Sequence, residues 1–181
     1  LLPAPRPVTR LSYQELFQRY LGIDPHGATC TSLRRLAGQQ GIEGDLQLTG
    51  KDPWLDLLLS HCIEPELSDA GLVFVYDYPA SQAALARITP GEPPLAARFE
   101  LYLDGVELAN GFHELADAGE QRQLFQLDLE KRRRAGGVLP PLDERLLAAL
   151  QSGLPDCSGV ALGIDRLLMQ ITAAEHIDQV L

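Results

Sequence analysis

Arg98-Phe99-Glu100-Leu101-Tyr102-Leu103-Asp104-Gly105-Val106-Glu107-Leu108-Ala109 is the stretch whose reading decides the fold. Both arms alternate polar and apolar residues, the two-residue period of a strand, and the Asp-Gly between them is a strong signal for a tight hairpin turn. Two neighbouring antiparallel strands are therefore predicted. Upstream, Leu72-Val73-Phe74-Val75-Tyr76-Asp77-Tyr78 is rich in β-branched and aromatic residues and is stopped by Pro79, so it reads as a strand too. Downstream, Asp117-x-x-Glu120 opens the longest helix, which runs into Lys131-Arg132-Arg133-Arg134 and ends at Gly136-Gly137. Another helix is expected over residues 143–152. Gly159-Val160-Ala161-Leu162-Gly163 is a glycine-punctuated strand that leads into a helix beginning at Ile164. This order of strand, hairpin, long helix, strand and helix predicts an α+β fold with an antiparallel sheet flanked by helices, not a βαβ succession.

Toward the start of the chain, Ser12-Tyr13-Gln14-Glu15 is a capping box ahead of Leu16, Phe17 and Tyr20, so a short helix should run to about Leu21 and stop at Gly22. A second short helix is expected over residues 31–37. Asp52-Pro53-Trp54 predicts a helix over residues 53–62 with Asp52 as N-cap and Pro53 in the first position, apolar nearly all round and hence buried. Residues 1–10, with Pro3, Pro5 and Pro7, read as an extended linker, and residues 11–181 as the folded part. The chain begins with Leu1 and enters this Pro-rich spacer at once, the pattern expected of the tail of something longer.

With 181 residues, 45% apolar and 22% charged, the composition is that of an ordinary globular domain able to bury a core without staples. Fifteen Lys and Arg stand against 25 Asp and Glu, a net charge of −10, which argues against a broad nucleic-acid footprint. Only Lys51 and Lys131 are lysine. The basic run at residues 131–134 sits where a helix C-terminus favours cations, with RNA contact as the alternative reading. Cys30, Cys62 and Cys157 are odd in number and unpaired by spacing, which fits a reducing compartment and a cytoplasmic protein. No apolar run reaches membrane-spanning length, so no membrane partner is expected.

Two clusters carry chemistry. In Glu107-Leu108-Ala109-Asn110-Gly111-Phe112-His113-Glu114-Leu115 two carboxylates lie seven residues apart, with a bend expected at Asn110-Gly111; such a pair suits Mg²⁺ or an ammonium group. The bland alternative is an exposed strand residue and a helix-capping acid. In Ser158 to Arg166, small residues at 159, 161 and 163 share a strand face that would receive a flat ring, and Arg166 would reach a phosphate or stack on a base. Tight packing explains the same small residues. Cys157 with His113 as nucleophile and base is a weaker reading than a structural cysteine, and there is no Walker A loop, nucleophile elbow or His-Glu-x-x-His helix.

Together the clusters resemble the C-terminal half of a class II aminoacyl-tRNA synthetase core of the lysyl type. Arg98-Phe99-Glu100-Leu101 with the Glu107–Leu115 segment is similar to the family's strand and acidic segment, and Gly159 to Arg166 to its motif 3. Residues 78–86, the ELANGFHEL segment with His113, and Pro155 to Leu167 resemble still more the stand-alone lysyl-synthetase paralogues that attach (R)-β-lysine to elongation factor P. The synthetases usually have Ser or Thr at the position of His113 and Gly at that of Ala161. The resemblance implies ATP and Mg²⁺ as cofactors, lysine or (R)-β-lysine and elongation factor P as substrates, and a homodimer at full length; the acidic balance, with His113 and Ala161, argues against tRNA as a partner. It implies that Glu107 and Leu108 contact ATP, that Glu107 and Glu114 share Mg²⁺, and that Asn110, Phe112 and Glu114 line the amino-acid pocket. It also implies that Gly163 lies against adenine and that Arg166 stacks on it or holds the outer phosphates. Glu107, Glu114 and Arg166 would then be catalytic, and Ala161 would reshape the pocket floor for a β-amino acid. Motif 1 and the motif 2 arginine are not found and would precede Leu1, so the chain alone is expected to be inactive.

Overall fold

The structure is a computed structural model that describes residues 7–42, 48–134 and 136–181. Its centre is a mixed sheet in the order β1-β2-β4-β5-β6, made of β1 (Val8–Ser12), β2 (Leu72–Pro79), β4 (Leu95–Leu103), β5 (Val106–His113) and β6 (Ser158–Leu162). A two-residue strand β3 (Ile88–Thr89) pairs with β4 off this path. From β2 to β6 all pairing is antiparallel, as the hairpin predicts, but β1 runs parallel to β2. Val8–Ser12 is therefore no linker. Pro7 has no N–H to donate, yet its carbonyl accepts from Leu72 N–H at 3.1 Å and starts the ladder; residues 1–6 of the expected linker lie outside the described residues.

Helices α1 (Tyr13–Leu21), α2 (Cys30–Gln39) and α3 (Asp52–Leu58) lie on one side of the sheet, α3 continuing as a π-helical turn over Leu59–Ile63. The Ser12 capping box and the left-handed Gly22 stop form as expected. At α3 the expected cap does not form: Lys51 is the N-cap residue, and Asp52 accepts from the Ser81 hydroxyl at 2.7 Å instead. Tyr13, Leu16, Phe17, Leu55, Leu58 and Ile63 bury against Val73, Val75, Tyr78 and Tyr102, with the Tyr13 ring 4.6 Å from Phe17 and 4.8 Å from Tyr78. The longest helix is α4 (Ala118–Arg134), capped by Asp117, whose carboxylate accepts from Glu120 N–H at 2.7 Å. In its basic run Arg132 pairs with Asp128, and Arg133 and Arg134 with Glu130, a helix-end arrangement. Next come α5 (Glu144–Gln151), capped by Asp143, and α6 (Ile164–Thr172), which begins directly after β6. β6 ends the strand order, and Val160, Leu162, Ile164 and Ile171 in β6 and α6 are exposed.

The alternating strand β4 turns its polar side chains inward. Glu100 is 6% exposed and is held by the Tyr78 and Tyr102 hydroxyls, each donating at 2.6 Å, and by the Arg98 guanidinium. Burying a carboxylate is unfavourable unless its lone pairs are filled, and three donors fill them here. Burial first, and the charges around them second, push both phenols far above their ordinary pKa, so they remain donors. Tyr78→Phe removes one donor and is expected to lower stability by about 1–3 kcal/mol, read as a lower urea midpoint at unchanged slope. Tyr76→Phe, on an exposed neighbour in the same strand, should leave the midpoint in place.

Candidate active site

The hairpin turn is left-handed at both Asp104 (φ 48°) and Gly105 (φ 81°), the pair of conformations a two-residue hairpin of native twist requires. The return strand does not bend at Asn110-Gly111: β5 is continuous from Val106 to His113. What breaks its alternation is one extra residue. Leu101 pairs with Ala109 but Tyr102 pairs with Glu107, so Leu108 is a bulge with no partner across the ladder. In an unbroken strand, residues 107 and 110 would face opposite ways. The bulge brings Glu107 onto the face of Asn110 and Phe112, the face that also carries Arg98, Glu100 and Tyr102.

β6 completes this face. Ala161 lies opposite Asn110, and Gly159 opposite Phe112. The Glu114 carboxylate fills the space over Gly159, where a Cβ would come within 2.2 Å of its Oε1. Asn110 Oδ1 is buried without a hydrogen-bond partner, an acceptor in want of a donor. The Phe112 ring lies 6.0 Å from the Arg98 guanidinium, which stacks over Tyr78 at 4.5 Å. At the other end of β5, Arg166 Nη1 donates to the Glu107 carbonyl at 2.8 Å and meets its Oε2 at 3.2 Å, while Gly163 N–H donates to the Leu108 carbonyl at 2.8 Å. Gly163 has an ordinary φ of −75°, and a Cβ there would make only ordinary contacts. Its backbone does not call for glycine.

The structure does not bring Glu107 and Glu114 together. About seven residues of extended chain at about 3.3 Å each put them on the order of 20 Å apart, too far for a single Mg²⁺ that holds oxygens at about 2.1 Å. The shared-Mg²⁺ expectation is thus corrected: Glu107 instead lines a cavity of about 420 Å³ with Asp56, Glu64, Glu100 and Tyr102. The carboxyl of Glu64 is raised above its ordinary pKa, first by burial and then by the charges of Glu100 and Glu107, against the Tyr102 hydrogen bond and Arg166. Burial and Asp52 raise Asp56 likewise. Among the described residues no group of three or more His, Cys, Asp or Glu side chains is placed to hold a metal ion. Sequence reading missed Glu64, Glu100, Tyr102 and Arg98. The signal available was Arg, Glu and Tyr at every second position of one strand, a polar face that becomes informative only once it is known to point inward.

A family model for tRNA synthetases class II (D, K and N) matches residues 2–181, and the chain belongs to this family. Among curated relatives it is 47% identical over 177 residues to the elongation factor P–(R)-β-lysine ligase of Klebsiella pneumoniae (strain 342), covering 97% of this chain and 54% of the relative. It is 49% identical over 172 residues to the ligase of the same name from Edwardsiella ictaluri (strain 93-146), covering 94% of this chain and 53% of the relative. The chain spans about half the length of the curated relatives it matches. Among the described residues no helix is long and apolar enough to cross a membrane.

Because Glu64 holds its proton more tightly folded than unfolded, the folded state gains stability as pH falls through its raised pKa, and the gain is complete near the ordinary value. Glu64→Gln is expected to melt higher than the unmodified chain near pH 8, with the difference closing as the pH falls to the ordinary carboxyl range. A difference that widens toward acid would refute the assignment.

Proposed function

We propose that this chain supplies the amine pocket and part of the nucleotide site of an ATP-dependent ligase of the class II synthetase type. The complete protein activates (R)-β-lysine as an adenylate and transfers it to a lysine side chain of elongation factor P. The observation that carries the reading is the single sheet face on which Asn110, Phe112, Ala161 and the carboxylate of Glu114 converge, with Glu107, Gly163 and Arg166 at its other end. The names of the relatives, and their identity over nearly this whole chain, support the same substrates.

In this reading Glu114 receives the terminal ammonium of the substrate, a charge-assisted contact, and Asn110 Oδ1 accepts from a second N–H. Phe112 walls the aliphatic stem, and Ala161 shapes the floor. Gly163 lies under the adenine, and Arg166 leaves Glu107 to stack on the base or hold the outer phosphates. Mg²⁺ would neutralise charge on the triphosphate, with Glu107 as the carboxylate that this end of the face would offer it. The substrate carboxylate attacks the α-phosphorus and pyrophosphate leaves; the lysine amine of the acceptor protein then attacks the acyl carbon and AMP leaves. The folded chain, β1 included, is thus the C-terminal part of a catalytic domain, inactive alone. The exposed apolar residues of β6 and α6 and the greater length of the relatives support this. A cytoplasmic homodimer that does not use tRNA completes the proposal.

The test uses the full-length gene product. Pyrophosphate exchange dependent on (R)-β-lysine, followed by labelling of elongation factor P, is the expected result. Loading of tRNA with no labelled elongation factor P would assign a lysyl-tRNA synthetase instead, and ATP binding without exchange a non-catalytic module. Glu114→Gln should raise the KM for the amine by about 10- to 100-fold, the loss of one charged hydrogen bond, with the KM for ATP unmoved. Ala161→Gly should shift preference from β-lysine toward α-lysine; an unchanged preference would sink its assigned role.

A further inference from the structure

Glu114 lies one residue beyond the end of β5, where the ladder is reduced to an isolated bridge to Ala86. A carboxylate that must meet a small cation there needs another anchor, and three side chains outside the proposed pocket supply one. Asp156 Oδ1 is 2.6 Å from His113 Nε2 and 2.9 Å from Arg87 Nη2. The same Arg87 donates from Nε to the Glu114 carbonyl at 2.8 Å and from its backbone N–H to the His113 carbonyl at 2.9 Å. On the other side the Glu114 N–H donates at 3.0 Å to the carbonyl of Cys157, the residue next to Asp156. Both backbone polar groups of Glu114 are thus held by two segments, around Arg87 and around Cys157, and Asp156 ties those segments to each other and to His113. Gly159 then leaves the only gap the Glu114 carboxylate needs.

We propose that Arg87, His113 and Asp156 form a clasp that positions the Glu114 carboxylate for its cationic substrate, making all three positioning residues for amine recognition. The inference rests on the reading of Glu114 as the amine contact. His113 faces away from Phe112 and Glu114 by strand alternation, so it acts through the backbone and never touches the substrate. The carboxyl of Asp156 is held below its ordinary pKa, first by the His113 hydrogen bond and then by Arg87, so the acceptor stays ionised. The Asp156 side chain is 73% exposed, and exposed pairs of this kind contribute little to folding. Loss of the clasp should therefore loosen the site without unfolding the protein.

The experiment measures equilibrium binding of (R)-β-lysine and, separately, of ATP by calorimetry on the full-length gene product. Asp156→Ala and His113→Ala are each expected to weaken (R)-β-lysine binding about tenfold, the size of effect a small misplacement produces, with ATP binding and the melting temperature unchanged. The double variant should be no weaker than either single one, and His113→Gln, which keeps a donor, should restore most of the loss. Unchanged (R)-β-lysine binding in Asp156→Ala, with binding lost in Glu114→Gln, overturns the clasp alone. Equal binding by Glu114→Gln and the unmodified protein, or no binding by either, overturns the reading of Glu114 and the clasp with it. A parallel loss of ATP affinity or of melting temperature in Asp156→Ala shows a general structural role and also overturns the proposal.

Discussion

One residue without a partner, Leu108, decides which side chains of the central hairpin can act together. A strand presents neighbours to opposite faces, so Glu107 and the group Asn110, Phe112 and Glu114 are out of phase in any regular ladder. The bulge shifts the phase by one, and the face it assembles is then extended across the sheet by Arg98, Glu100 and Tyr102 on one flank and by Gly159 and Ala161 on the other. The same bulge residue offers its carbonyl to Gly163, which sets where β6 ends and α6 begins. Strand pairing, the turn into the last helix and the grouping of functional side chains all follow from this local irregularity.

The face so assembled divides into three electrostatic zones. At its centre the Glu100 carboxylate is neutralised by Arg98 and two phenols, a closed network that orders Tyr78, Tyr102 and, through Arg98, the ring of Phe112. At the end near the turn, Glu64, Glu100 and Glu107 crowd one cavity, with Arg166 as the facing cation. There Arg166 pairs with Glu107, while burial and the neighbouring acids raise Glu64 above its ordinary pKa. At the far end, Glu114 stands over Gly159 with an unsatisfied amide oxygen on the same face, a setting suited to an amine. Glu107 and Glu114 thus have different surroundings, Arg166 for the one and the space over Gly159 for the other.

A net charge of −10 takes a different meaning in this setting. Part of the excess acid is structural, in helix caps such as Asp117 and Asp143, and part lies in the face just described. The three arginines of the basic run are engaged by acids within their own helix. Part of the composition therefore reflects capped helices and a buried, hydrogen-bonded carboxylate.

The sequence by itself determined the elements and their order. The Asp104-Gly105 turn, the Ser12 capping box, the strand ended by Pro79 and the helix capped by Asp117 are written in local chemistry that acts over a few residues. The resemblance carried by the two long motifs belongs to the same level, because it depends on contiguous residues. Long-range contacts decided the rest. That Val8–Ser12 pairs as a strand, that Asp52 bonds Ser81 instead of capping its helix, and that Glu100 points inward all depend on partners dozens of residues away. The Leu108 bulge belongs with them: a ladder's register is a property of two strands, and no spacing counted along one of them reveals that a residue has been left without a partner. Only the tertiary structure could therefore show that Glu107 meets Arg166 while the carboxylate of Glu114, close in sequence and alike in chemistry, stands over Gly159.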